Sequence, residues 1–207
     1  MRARINIIGC GRAASSLARL WREAGSAEIG EVLNRSEASS RAAVERIGQG
    51  SVATALDAMQ PADYWLIGTN DLQILNVSQA LSESPVGFDG ALVFHLAGRF
   101  GLDVLEPLSG SGALLAALHP VRSLTYNRLS LDDFDETACV AEGSDAALNA
   151  LHPLIESIGG DWVPVNQVNR GLYHAALSVV SNVTKAVAWK AQKWLEDAGL
   201  PEHKSAA

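Results

Sequence analysis

Three of the five histidines in this 207-residue chain stand at the edge of an apolar run. His95 closes "ALVFH", His119 closes "ALLAALH", and His174 opens "YHAALSVVSN". An imidazole in such a place polarises a carbonyl or exchanges the proton that accompanies a hydride. Each has a second reading, as a scaffold histidine bonded within the fold. Asn182 follows His174 by slightly over two helical turns and so faces roughly the same side, as a hydrogen-bonding partner would. His152, beside Pro153, and His203, near the end, are given no role. The histidine spacing matches no standard metal site, so no metal is expected.

A second group of residues points to an anionic ligand. Gly9-Cys10-Gly11-Arg12-Ala13-Ala14 follows the apolar run Ile5–Ile8 and precedes leucines at helical spacing. It fits G-x-G-x-x-G/A, in which Gly9 permits the tight turn, Gly11 lets backbone approach a pyrophosphate, and Ala14 lets helix pack on strand. The free N–H groups of the following helix would face that anion, and Arg12 is expected among the cofactor-binding residues. The other reading is a purely steric strand-to-helix turn. About 20 residues past such a loop, NAD proteins place an acid on the ribose 2′-hydroxyl. Here Asn34, Arg35 and Ser36 stand instead, and they would donate to a 2′-phosphate. The cofactor expected is therefore NADP(H). Gly68 and Thr69 end another apolar run and are expected to contact the nicotinamide half through their backbone. Asp71 reads as a helix N-cap.

The elements that would carry these residues alternate. Strands are expected at 5–8, 28–36, 62–71, 90–98, 111–124, 135–143 and 161–166, with a weak one at 51–54. Helices are expected through Leu17, Leu20, Trp21 and Ala24 to a C-cap at Gly25, and at Glu37–Ile47, Leu72–Leu81 and Asp145–Ile158. Strands apolar on both faces, alternating with helices, predict a doubly wound, mostly parallel α/β sheet. Pro164 marks a boundary between a nucleotide-binding domain at 1–164 and a helical segment at 165–207. Residues 169–199 run without a breaker, as a helix on the order of 40 Å long.

"GCGRAASSLA", "HLAG", "ALHPVRSL" and "YHAALSVVSN" together resemble an uncharacterised family, a Rossmann-like domain followed by an all-helical domain of unknown function 2520. That family is grouped with pyrroline-5-carboxylate reductase, prephenate dehydrogenase and 6-phosphogluconate dehydrogenase. The resemblance spans about residues 4–200 and implies NADP binding and a reductase or dehydrogenase activity. It differs from the family pattern at Ala97, where a serine is common, and at Arg170, where a lysine is common. The resemblance also implies further helices, so the long helix reads as part of a truncated all-α C-terminal domain. His119-Pro120 is similar to the catalytic pair of prephenate dehydrogenases, without the glycine expected after it. The Lys-x-x-x-Asn pair of β-hydroxyacid dehydrogenases is reversed here, with Asn182 before Lys185.

Composition narrows the partners. Apolar residues make up 48% and charged residues 19%, as in a globular protein. A net charge of −7 argues against nucleic acid. Its distribution favours an anion near the start, since residues 1–48 carry eight arginines against five acids. Cys10 and Cys139 are too few for a disulfide framework and fit a reducing compartment. No run reaches the length of a membrane span or a signal peptide, so a cytoplasmic protein is expected. The last helix is apolar on nearly every face, which predicts a homodimer through it. Two functions follow: an NADP(H)-dependent oxidoreductase for a small carbonyl, imine or hydroxy-acid substrate, or a non-catalytic NADP-binding module that reports redox state.

Overall fold

The computed structural model describes residues 2–126 and 129–201; His203 lies outside them. Eight strands form one sheet: β1 (Ala3–Ile8), β2 (Ala27–Leu33), β3 (Ser51–Val52), β4 (Tyr64–Ile67), β5 (Leu92–His95), β6 (Leu114–Pro120), β7 (Ala138–Gly143) and β8 (Asp161–Val165). Their order is β3-β2-β1-β4-β5-β6-β7-β8. Every neighbouring pair is parallel except β6 with β7. The helices of this part are α1 (Arg12–Ala24), α2 (Glu37–Ile47), α3 (Ile74–Glu83), α4 (Leu131–Phe134) and α5 (Asp145–Glu156).

The sheet is apolar on both faces because helices cover both. Ile5, Ile7, Leu66, Phe94 and Leu118 pack on one side with Leu17 and Trp21 of α1. Ile8, Trp65, Ile67 and Val93 pack on the other with Ile74 and Leu81 of α3. This is the period-two alternation of a strand read from both sides. Trp21 illustrates how its large ring is accommodated: it meets Phe94 edge-on at 6.2 Å and donates its indole N–H to the Leu154 carbonyl at 2.9 Å. The buried Asn6 sits where the β1–β2 register slips between Ile5 and Ile7. Its Oδ1 accepts from Glu31 N and its Nδ2 donates to Gln60 O, so neither end is stranded.

Several boundaries differ from expectation. The strand at 90–98 is only Leu92–His95, and the weak strand at 51–54 is Ser51–Val52. The helix at 72–81 begins as a 3₁₀ turn, Asp71–Gln73, before α3. Asn70, not Asp71, caps it, accepting from Leu72 N at 3.0 Å. A 3₁₀ run over Leu102–Leu108, with Pro107 inside it, was not legible from periodicity. β7 turns antiparallel because only the short α4 links it to β6, too little for a crossover that restores direction. Pro164 lies within edge strand β8, where its missing N–H costs no ladder bond.

The chain divides into two compact units, one through Gln167 and one from Val168. The second is a continuous helix from Arg170 to Asp197: α6 (Arg170–Ser178), a π-helical segment (Val179–Val183) and α7 (Thr184–Asp197). Asn169 caps its start through Leu172 N at 3.0 Å. Leu172, Val180, Trp189 and Trp194 are exposed on it. Among the described residues no helix is long and apolar enough to cross a membrane.

Candidate functional site

The strand order reverses between β1 and β4, and there the C-terminal edge of the sheet opens into a crevice. Gly9 follows β1 and Gly68 follows β4, joined through Gly68 N to Ile8 O at 2.9 Å. Gly9 has a φ of +80°, and a Cβ there would meet the Thr69 methyl and lie 2.6 Å from Thr69 N. A Cβ on Gly68 would fall 2.6 Å from the Ala14 methyl. Ala14 therefore brings α1 against β4, the packing role expected of the motif's third small residue. Gly11 is different. Its φ is −79°, and a Cβ there would meet only Gly68 O at 3.8 Å. The fold does not need glycine at position 11; an approaching ligand would.

The loop amides are largely committed. Gly9 N donates to Leu33 O at 2.8 Å, and Cys10 N to Asn34 Oδ1 at 2.6 Å. The first turn of α1, from Arg12, has no side-chain cap and no acidic residue. Its amides, next to the open space at Gly11, suit an anion. Thr69 Oγ1 is buried without a hydrogen-bond partner, on the wall of the same crevice. A buried hydroxyl left in this way is the mark of a missing polar partner. Loop, uncapped helix and hydroxyl thus fit a dinucleotide diphosphate.

On one side of this loop lies a cavity of about 570 Å³. Gly9, Asn34, Arg35, Ser36, Arg46 and Tyr126 are among the residues around it, and among the described residues no carboxylate lines it. Arg35 is exposed. Asn34 is more occupied than the sequence implied: besides holding Cys10 N, it donates through Nδ2 to Ser39 O at 2.9 Å. One amide hydrogen remains, and the side chain's main work is to tie the end of β2 to the glycine loop. The Ser36 hydroxyl is taken up in the capping box of α2 with Ser39.

On the other side, a cavity of about 400 Å³ is lined by Arg12, Gly68, Thr69, Asp71, His119 and Arg122, with Leu96, Leu124 and Tyr126. His119, at the end of β6, is half-buried. Its ring lies over Gly98, where a Cβ would fall 2.7 Å from Nε2. The segment after β6 is fastened to α1: Ser16 Oγ donates to Thr125 O, and Arg19 Nη2 to Leu129 O, both at 3.1 Å. Arg122 and Tyr126 come to the crevice through these contacts. Sequence reasoning passed over them, although Arg122 sits in the same "HPVRS" as His119.

His95 does not reach the crevice. It is fully buried; Nδ1 accepts from Ala97 N at 3.1 Å and Nε2 bonds Gly101 O at 2.9 Å. Both ring nitrogens are spent on the loop that carries Leu96 and Gly98, which is the scaffold reading. His174 and Asn182 belong to the C-terminal unit, and both are exposed. Eight residues of plain α-helix would leave them about 80° apart. The π-helical segment, Val179–Val183, turns fewer degrees per residue and so draws Asn182 back toward the side of His174. Neither cysteine offers a thiolate. Burial, reinforced by Asp161, pushes Cys139 up to about 12. Burial also raises Cys10, against the Ser15 bond and the Arg46 charge. Among the described residues no group of three or more metal-ligating side chains occurs.

These features define a doubly wound α/β protein with a glycine loop at its topological switch point. The chain belongs to the Rossmann-like domain family, whose model matches residues 1–120. Residues 137–207 match the domain of unknown function DUF2520. The structure is similar to that of BF3122 from Bacteroides fragilis, provisionally an NADP oxidoreductase, with 21% identity and a TM-score of 0.74 over 98% of this chain and 75% of that one. It is also similar to reductive aminase from Aspergillus terreus in complex with NADPH and ethyl-5-oxohexanoate (15% identity, TM-score 0.72, 99% of this chain and 70% of that one). A third is prephenate dehydrogenase from Aquifex aeolicus with hydroxyphenyl propionate and NAD⁺ (19%, 0.68, 98% and 72%). At these identities the likeness is one of fold. No curated protein matches the chain.

Proposed function

We propose that the chain binds NADP(H) across the switch-point crevice and acts as an oxidoreductase on a small, anionic carbonyl, imine or hydroxy-acid compound. The observation that carries this reading is the uncapped first turn of α1 beside an acid-free cavity holding Arg35. When bound, NADPH supplies a hydride. His119 holds the accompanying proton on its imidazole at the far cavity, and Arg12 and Arg122 draw an anionic substrate there. His174 and Asn182 are kept as candidates for orienting substrate. Titration followed by fluorescence is expected to show NADPH binding at least about tenfold tighter than NADH, the effect of one charge-assisted contact. Arg35→Ala should bring the two affinities closer; equal affinities in the unmodified protein would refute the assignment of cofactor.

The rival reading, a non-catalytic NADP-binding module, draws on the withdrawal of His95 into the scaffold. A screen for NADPH consumption across keto acids, imines and hydroxy acids separates the two. Binding without any turnover favours the module.

The reading includes a homodimer through the C-terminal helix. Val180 is 71% exposed and Trp194 63%. Covering such side chains contributes about 1.5–3 kcal/mol each. Light scattering at micromolar concentration is expected to give twice the 21.9 kDa chain mass, and Trp194→Glu to shift it toward the single chain. A monomer at all concentrations would remove the dimer.

A further inference from the structure

We infer that Arg46 is a specificity-determining residue for the 2′-phosphate of NADP(H), a second guanidinium acting with Arg35; this rests on the cofactor reading above. Arg46 lies in the last turn of α2, away from the end where Asn34 and Ser36 stand. Helical side chains lean toward the N-terminus, so its stem runs back along the helix past Ala42 and Ser39, which line the same cavity. The guanidinium ends over the Tyr126 ring, 4.7 Å from its centroid. Its charge also acts at the glycine loop, where it partly opposes the burial that raises the Cys10 thiol.

The way Arg46 is held matters. Arg41, on the same helix, is paired with Glu37. Among the described residues no carboxylate pairs with Arg46. A ring under its face fixes the group while leaving the N–H donors at its edge available to a planar-fork acceptor such as a phosphate. Two guanidiniums line the cavity with no carboxylate among its described residues, a charge that a phosphate dianion would match. A ribose hydroxyl would not.

The test is the affinity of the full chain and of Arg46→Met, which keeps an apolar stem, for NADPH and NADH by isothermal calorimetry. The expected result is a loss of about tenfold or more for NADPH with NADH changed less than about twofold. Retained NADH affinity also reports that the variant is folded. Arg46→Lys, which keeps charge but loses the fork, should fall between. Equal losses for both nucleotides would place Arg46 on the diphosphate and overturn the inference, as would no loss for either. If the unmodified protein prefers NADPH and Arg46→Met does not alter that preference, only this inference fails; if it binds neither nucleotide, the cofactor reading fails with it.

Discussion

Gly9→Ala is expected to destabilise the chain by about 3–5 kcal/mol, seen as an earlier urea midpoint with an unchanged slope. Two effects add. The left-handed φ of +80° costs an L-residue about 1–2 kcal/mol. The new methyl would also lie 2.6 Å from the Thr69 backbone nitrogen, so the ends of β1 and β4 must move apart. Gly11→Ala is the counterpart. With φ at −79° and open space ahead of it, stability should change by less than about 1 kcal/mol. NADPH affinity should nevertheless fall by about tenfold or more, because the methyl occupies the approach of the diphosphate. A stable Gly9→Ala would contradict the loop geometry. A Gly11→Ala that binds normally would mean that no anion comes close there.

His119→Asn should lower kcat by about 10²–10⁴-fold, the range for losing a positioned proton donor, and leave the Kd for NADPH unchanged. Gly98→Ala offers an independent route to the same result. It leaves His119 in the sequence but sets a methyl 2.7 Å from its Nε2, so the ring must leave its place. Turnover should fall in both, measured with the best compound from the substrate screen. Of the two, only His119→Asn removes the imidazole outright, so its loss should be the larger. Full activity in that variant would move the proton route elsewhere.

The parts legible in the sequence are those whose cause is local. β1, the glycine loop and α1 form one uninterrupted stretch, and Gly25 ends α1 with φ at +68°. The bounds of α2 were readable because Ser36 and Gly48 cap it within the same few residues. What stayed hidden depends on partners far along the chain. A histidine at the end of a strand gives the same pattern whether its ring faces crevice or core; the four buried residues of β5 offer no alternation to decide between them. Asn34 reads as a donor to phosphate, and what the sequence hides is that one of its amide hydrogens goes to Ser39 O and its carbonyl accepts from Cys10 N. Arg46 and Tyr126 meet only through the tertiary fold. The π-helical segment leaves no mark in a pattern that is apolar on every side.

The two ends of the sheet carry a consequence for how copies of this protein meet. β3 is only two residues long, and β8 places Pro164 on its open margin. Neither rim presents a long row of unpaired amides, so strand-by-strand stacking into fibrils is blocked at both. Growth by adding strands is therefore disfavoured at either rim.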